Sequence, residues 1–173
     1  MIQQTGDSMR EKIKVFIEKC RETARIPEYS NPGDAGMDIY AAEDCIIAPG
    51  ETILVPTGLK IAVPDGFEVQ VRPRSGISLR TKLRLSNSPG TIDSGYRDEV
   101  RIIVSNVSDP DFASSVKTLE KDSGGDGTYR ICKGDRIAQM VLARVPMMDF
   151  IETDSVKEIG NDRGGGFGST GHK

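Results

Sequence analysis

The chain contains no tryptophan, one histidine and three cysteines in 173 residues, and each scarcity removes a class of chemistry. The histidine, His172, is the penultimate residue, a poor place for a positioned base or metal ligand, so catalysis must lean on carboxylates and basic side chains. Cys20, Cys45 and Cys132 are odd in number, far apart and outside any C-x-x-C pair, which argues against a disulfide framework and a zinc site. No window approaches the run of about 18 apolar residues that a membrane helix needs, and the N-terminal pattern is not that of a signal peptide. The expectation is a soluble, cytoplasmic protein without membrane contact. Acidic residues outnumber basic ones 26 to 23, giving a net charge of −3. Without a clustered basic face, direct binding to nucleic acid is not expected.

Turn chemistry is abundant: nineteen glycines and nine prolines favour many short strands over long helices. The length suits one domain with a real core. Ile13, Val15 and Ile17 share one face and suit a first strand, although a short helix also fits. Thr52 to Val55, Leu59 to Val63 and Phe67 to Val71 read as strands separated by Pro56, Gly58 and Pro64-Asp65-Gly66, as in a sandwich or barrel. Val100, Ile102 and Val104 alternate, and strands return from Tyr129 to Val145 around the turn Lys133-Gly134-Asp135. Residues 108–128 break this rhythm as a long excursion. The organisation expected is a flexible N-terminus over 1–10, a β domain over 11–159 and a flexible Gly-rich arm over 160–173.

Five clusters carry chemistry. Asp38 alternates with Met37 and Ile39 and so points away from their face; it is either a turn or capping carboxylate, or one that orients a basic side chain or the water shell of a divalent ion. Arg72-Pro-Arg-Ser-Gly-Ile-Ser78 gathers two Arg and two Ser around Gly76, either a solvated basic turn or an anion cradle. Asn87 to Val100 is a hairpin with turn dipeptides Pro89-Gly90 and Ser94-Gly95. It places Asp93 at a strand end with Tyr96 one step away, where loop tips on rigid strands collect catalytic groups. Gln139 interrupts an apolar strand and must be hydrogen-bonded, as a core linker or a ligand contact. The tail from Gly160 to Gly171 embeds Arg163 and Phe167 among glycines. Its G-x-G-x-x-G match lacks the strand and helix of a dinucleotide fold, which leaves a disordered tail or an arm that closes on phosphates.

In order and wording these clusters resemble the five motifs of the trimeric dUTP diphosphatase family. Ala35-Gly-Met-Asp-Ile-Tyr-Ala41 is similar to the first, Arg74-Ser-Gly76 to the second and Gly90-Thr-Ile-Asp-Ser-Gly-Tyr-Arg97 to the third. Gly134-Asp-Arg-Ile-Ala-Gln-Met140 is similar to the fourth and Arg163 to Gly171 to the fifth. The resemblance implies an all-β jelly roll, or distorted β-barrel, assembled as a homotrimer with active sites shared between subunits. It implies hydrolysis of dUTP to dUMP and pyrophosphate, which limits uracil incorporation into DNA and supplies dUMP for thymidylate synthesis.

The roles carried over are catalytic for Asp93, Asp38 and Gln139, with Asp93 taking the proton of the attacking water. Substrate binding falls to Arg74, Ser75, Gly76, Asn87, Gly90, Thr91, Ile92, Tyr96, Arg163, Phe167, Gly168, Ser169 and Thr170. Mg²⁺ is expected on the substrate triphosphate, with no direct protein ligand and with Asp38 acting through water. Tyr96 would pack on the deoxyribose, Asn87 and hairpin backbone would bond the uracil edge, and Phe167 would cover its face. The chain departs from the family pattern at Asp98, where glycine is usual, in a spacing from Arg163 to Phe167 one residue shorter, and in the 108–128 excursion. Two alternatives are a dCTP deaminase of the same fold and a nucleotide-gated regulatory protein that binds a partner through residues 108–128.

Overall fold

The computed structural model describes residues 10–120, 124–162 and 164. In chain order its strands are β1 (Phe16–Lys19), β2 (Met37–Tyr40), β3 (Cys45–Ile47), β4 (Thr52–Ala62) and β5 (Phe67–Arg72). A single helical turn and a half, α1 (Ser75–Arg80), precedes β6 (Leu83–Leu85), β7 (Gly90–Ile92), β8 (Val100–Asn106), β9 (Val116–Lys117), β10 (Thr128–Ile131) and β11 (Arg136–Arg144). The strands form three sheets, ordered β1-β4-β8-β6, β3-β10-β9 and β2-β11-β5-β7. All pairings are antiparallel except β9 with β10. The architecture is the all-β class expected.

The core is the shared interior of these sheets. In β8, Val100, Ile102 and Val104 are buried while Arg101 is exposed, so period-2 alternation writes the strand's orientation directly. They meet Val55 and Ile61 of β4, Ile39 of β2, and Tyr129 and Ile131 of β10 in one apolar cluster. Tyr129 is wholly buried, but its hydroxyl accepts from Lys82 N at 3.1 Å and donates to Gly125 O, so no polar atom is stranded there.

The expected strand boundaries need revision in two places, over 52–63 and at β1. The two strands anticipated over 52–55 and 59–63 are one eleven-residue strand, β4, whose pairing with β8 shifts register between Pro56 and Leu59. Pro56 and Gly58 mark a bulge rather than a break. Thr57 repairs the interrupted ladder: its Oγ1 donates to Val100 O at 2.6 Å and accepts from Leu59 N at 3.2 Å. Gly58 has φ +69°, and a Cβ there would lie 2.7 Å from Ala24 Cβ, so glycine is required on both counts.

The excursion over 108–128 is partly structured. Pro110–Phe112 forms a 3₁₀ turn, with the Asp109 carboxylate accepting from Asp111 N at 3.0 Å. β9 then pairs with β10, and Gly125 bridges to Thr81 just beyond α1. The buried Asn106 side chain locks the segment's return, donating to Ile47 O at 3.0 Å and Gly127 O at 2.8 Å and accepting from Ser108 N at 3.0 Å. At the other end, β1 follows Ile13 and Val15 rather than containing them; both are half-buried, and β1 itself is exposed. Beyond β11, residues 145–162 carry no helix or strand, and Met147, Met148, Phe150 and Ile151 are each at least 79% exposed.

Candidate active site

Asp38 sits in β2 beside Ile39, which is fully buried, so alternation turns the carboxylate to the opposite face. There its register partner is Gln139 of β11, whose partner on the other side is Arg72 of β5. Arg74 Nε donates to Asp38 Oδ1 at 2.7 Å, and Arg136 Nη1 donates to Asp38 Oδ2 at 3.2 Å. One carboxylate thus orients two guanidinium groups through charge-assisted bonds. Gln139 Nε2 donates to Pro73 O at 2.8 Å, fixing the strand-to-helix turn that carries Arg74. Gly36 makes room for this side chain: a Cβ there would lie 2.7 Å from Gln139 Oε1, so a larger residue would displace the Gln139 amide.

Arg74 caps α1, and Ser75 and Gly76 begin it. A Cβ on Gly76 would come 2.8 Å from Arg80 Nη2, so the Arg80 guanidinium folds back over the start of the helix. A cleft of about 150 Å³ is lined here by Arg74, Gly76, Arg80, Asp135 and Arg136, with Ile77 and Leu119 at its apolar edge. Three guanidinium groups around one cleft suit an anion with several oxygens.

The stretch 87–100, expected as a hairpin, is instead a crossover between sheets, because β7 pairs with β5 while β8 pairs with β4 and β6. It makes a second cleft, also of about 150 Å³, lined by Asn87, Gly90, Thr91, Ile92, Tyr96, Val71 and the start of β8. β7 pairs with β5 through Gly90 and Val71, and Asp93 follows immediately at the strand's exposed end. Tyr96 N donates to Asp93 O at 3.1 Å, closing a turn, and Tyr96 Oη donates to Glu99 O at 2.9 Å. The Asn87 amide lies over Gly90, where a Cβ would be 3.1 Å from Asn87 Nδ2. Turn, aromatic and amide therefore share one small, part-apolar, part-polar recess.

The structure brings Asp38, Gln139, Arg74, Ser75 and Gly76 together, and separately Asn87, Gly90, Thr91, Ile92, Asp93 and Tyr96. No residue lines both clefts. Arg163, Phe167, Gly168, Ser169 and Thr170 lie outside the described residues. Residue-by-residue reading missed Arg136 and Glu99. Arg136 is three places from Gln139, which in a regular strand puts the two on opposite faces; a register shift between Arg136 and Ala138 brings it to Asp38. Glu99 is half-buried, and its carboxyl is held below the ordinary carboxylate range, chiefly by Arg21 and further by the Gly58 N–H, against the opposing effect of burial.

Fold and clefts define a jelly-roll protein with an arginine-flanked carboxylate near one recess and a second, part-polar recess beside β7 and β8. A model of the dUTPase family matches residues 22–118. The deoxyuridine 5'-triphosphate nucleotidohydrolase of Clostridioides difficile is 42% identical over 157 residues, covering 90% of this chain and 96% of that protein. The enzyme of the same name from Helicobacter pylori strain J99 is 39% identical, covering 92% of this chain and 97% of its own. This chain belongs to the dUTPase family.

Among solved structures, the dUTPase of Staphylococcus bacteriophage 80alpha with dUPNHPP superposes with TM-score 0.82 at 27% identity, over 92% of this chain and 99% of that one. That phage protein is described as controlling transfer of virulence genes. A mutant dUTPase from phage phi11 of S. aureus, which coordinates a structural Mg(II) ion, gives TM-score 0.74 at 26% identity, over 83% of this chain and 98% of that one.

Proposed function

We propose that this chain is a dUTP diphosphatase, hydrolysing dUTP to dUMP and pyrophosphate. The observation that carries the reading is the Asp38–Arg74–Arg136 cluster beside α1, accompanied by a recess lined by Asn87, Gly90 and Tyr96, with Asp93 next to Ile92 at the end of β7, in a dUTPase-family chain. Arg74, Ser75, Gly76, Gln139 and Arg136 take the phosphates. Asn87 and the backbone of Gly90, Thr91 and Ile92 read the uracil edge, and Tyr96 packs on the deoxyribose where a ribose 2'-hydroxyl would collide. Asp93 takes a proton from the water that attacks the α-phosphorus. A positioned base of this kind supplies about 10²- to 10⁴-fold.

Mg²⁺ fits this donor set as an ion carried by the substrate. Both Asp38 oxygens already accept from arginines, and among the described residues no group of three His, Cys, Asp or Glu gathers to cage a cation. When bound, the ion neutralises triphosphate charge; Asp38 lies where it would orient the ion's water and hold Arg74 and Arg136 toward the phosphates.

The functional unit is a homotrimer with shared sites. Supporting this, the two clefts have no lining residue in common, and the apolar residues Met147, Met148, Phe150 and Ile151 are left uncovered on one chain. Arg163, Phe167, Gly168, Ser169 and Thr170, given phosphate- and uracil-binding roles by the resemblance to the family's fifth motif, lie outside the described residues. The reaction is assigned to the cytoplasm, where it limits uracil in DNA and supplies dUMP for thymidylate synthesis; among the described residues no helix is long and apolar enough to cross a membrane.

A second reading, partner binding through residues 108–128 gated by nucleotide, is favoured by the Thr81–Gly125 bridge. It ties that segment to the end of the helix that begins at Ser75. Pyrophosphate release measured with dUTP, dTTP, dCTP and UTP, with and without Mg²⁺, tests the enzyme. Strong preference for dUTP is the expected result; equal use of all four overturns the reading, and uracil products from dCTP identify a deaminase.

A further inference from the structure

The crossover from β7 to β8 is held at its outgoing end by groups with no part in the chemistry above. Glu99 lies between the Asp93–Tyr96 turn and β8, and its side chain is 15% exposed. It accepts from Arg21 Nε at 2.7 Å, Arg21 Nη2 at 3.0 Å and Gly58 N at 2.8 Å. The Gly58 N–H is available because the β4 bulge takes it out of the ladder with β8. Glu99's backbone carbonyl is also the acceptor of the Tyr96 hydroxyl. A single residue therefore connects the aromatic of the recess to the bulge in β4 and to Arg21 in the segment after β1.

Arg21 is itself seated firmly. It donates to Glu43 as well as Glu99, and Gly58 packs so closely that a Cβ there would lie 2.9 Å from Arg21 Cβ. Tyr96 needs such a strap. The residue is 37% exposed, so core packing alone does not fix the ring's angle, and the hydroxyl's bond to a clamped carbonyl does. A bidentate guanidinium–carboxylate pair is directional in a way a single charge contact is not.

We propose that the Arg21–Glu99 pair is a specificity clamp, with Arg21 a positioning residue that sets Tyr96 against the sugar of the substrate. The inference rests on the dUTP-hydrolysing reading. Loosening the clamp leaves the phosphate cluster intact, so it weakens binding of the nucleoside and its discrimination from a ribonucleoside more than it slows the chemical step. Arg21→Lys keeps the charge but loses the fork, and so restores only part of the effect.

The test is steady-state kinetics with dUTP and UTP on the full chain and on Arg21→Gln, Arg21→Lys and Arg130→Gln. The last breaks the exposed Arg130–Asp44 pair at β10, away from the crossover from β7 to β8, as a control. For Arg21→Gln the expected result is a rise of about tenfold in KM for dUTP and a fall of about tenfold in the dUTP-to-UTP ratio of kcat/KM, with kcat within about threefold. Arg21→Lys falls between, and Arg130→Gln keeps the ratio of the unaltered chain.

An unmoved ratio in Arg21→Gln, or an equal fall in Arg130→Gln, overturns the clamp while an active unaltered chain leaves the functional reading standing. An unaltered chain inactive on dUTP overturns both. If Arg21→Gln does not fold, Glu99→Gln is measured in its place; it keeps an acceptor for Gly58 N, and the same ratio decides.

Discussion

Asp38 and Arg74 meet at 2.7 Å, Nε to Oδ1, across 36 residues of chain, and Arg136 takes the carboxylate's other oxygen. A strand, a helix entry and a second strand thus share one anionic anchor. Asp38→Asn keeps the shape but leaves one guanidinium facing an amide N–H₂. The expected outcome is a loss of about 10²-fold in dUTP turnover, in the range set by removing one preorganised electrostatic group. Stability should fall by about 2 kcal/mol, as for a charged hydrogen bond in a half-buried site. Pyrophosphate release and urea unfolding check the two effects separately.

Asp93 is exposed at the end of β7 and shares no cleft with that cluster. Asp93→Asn should keep nucleotide affinity within about tenfold and lose at least about 10²-fold in turnover, because the amide cannot accept the water's proton. Calorimetric titration with a non-hydrolysable dUTP analogue and a single-turnover assay give the two numbers. Normal turnover would remove Asp93 from the role of base.

Glu99 provides a pH signature of how the crossover from β7 to β8 is attached. Its carboxyl is depressed from an ordinary value of 4.5, first by the hydrogen bond from Arg21. A group with a folded pKa below its unfolded one adds stability at pH above the unfolded value and loses it as pH falls through the folded value. The chain should therefore lose stability on acidification below about pH 4.5, and Glu99→Gln should flatten part of that loss. Asp44, depressed by the Lys133 N–H and Arg130, contributes with the same sign in both proteins, so the difference between their urea midpoints from neutral to acid pH isolates Glu99.

Asn106 is 1% exposed and makes three hydrogen bonds that join β3, β8 and the return of the 108–128 segment. Asn106→Leu strands two buried carbonyls and an N–H. The expected cost is about 3 kcal/mol, measured by urea denaturation, at the upper end of what unsatisfied buried polar groups exact. Limited proteolysis should also become faster within 108–128, whose return depends on the Gly127 contact.

Much of the β framework was legible in the chain. Alternation placed Val100, Ile102 and Val104 inward, and the same rule turned Asp38 away from Ile39. Asp38, Arg74 and Gln139 were each singled out in separate motifs, and register and hydrogen bonds bring them together. Composition excluded histidine and cysteine chemistry because there was almost none to place.

Other features were settled by contacts between distant segments. Pro56 and Gly58 look like a strand break locally, but β8 continues alongside and makes them a bulge, with Thr57 supplying the missing bond. The shift in β11 that turns Arg136 toward Asp38 is likewise invisible to a period-2 reading, since a bulge exists only relative to its partner strand. Glu99 reads as one more acidic residue after a turn until Arg21 and the Gly58 N–H arrive from elsewhere. The sequence by itself determined which residues alternate, turn and carry charge, because these follow from side-chain chemistry and local backbone geometry. Only the tertiary structure decided which charges share a carboxylate and which strand end is clamped, because those depend on register between segments far apart in the chain.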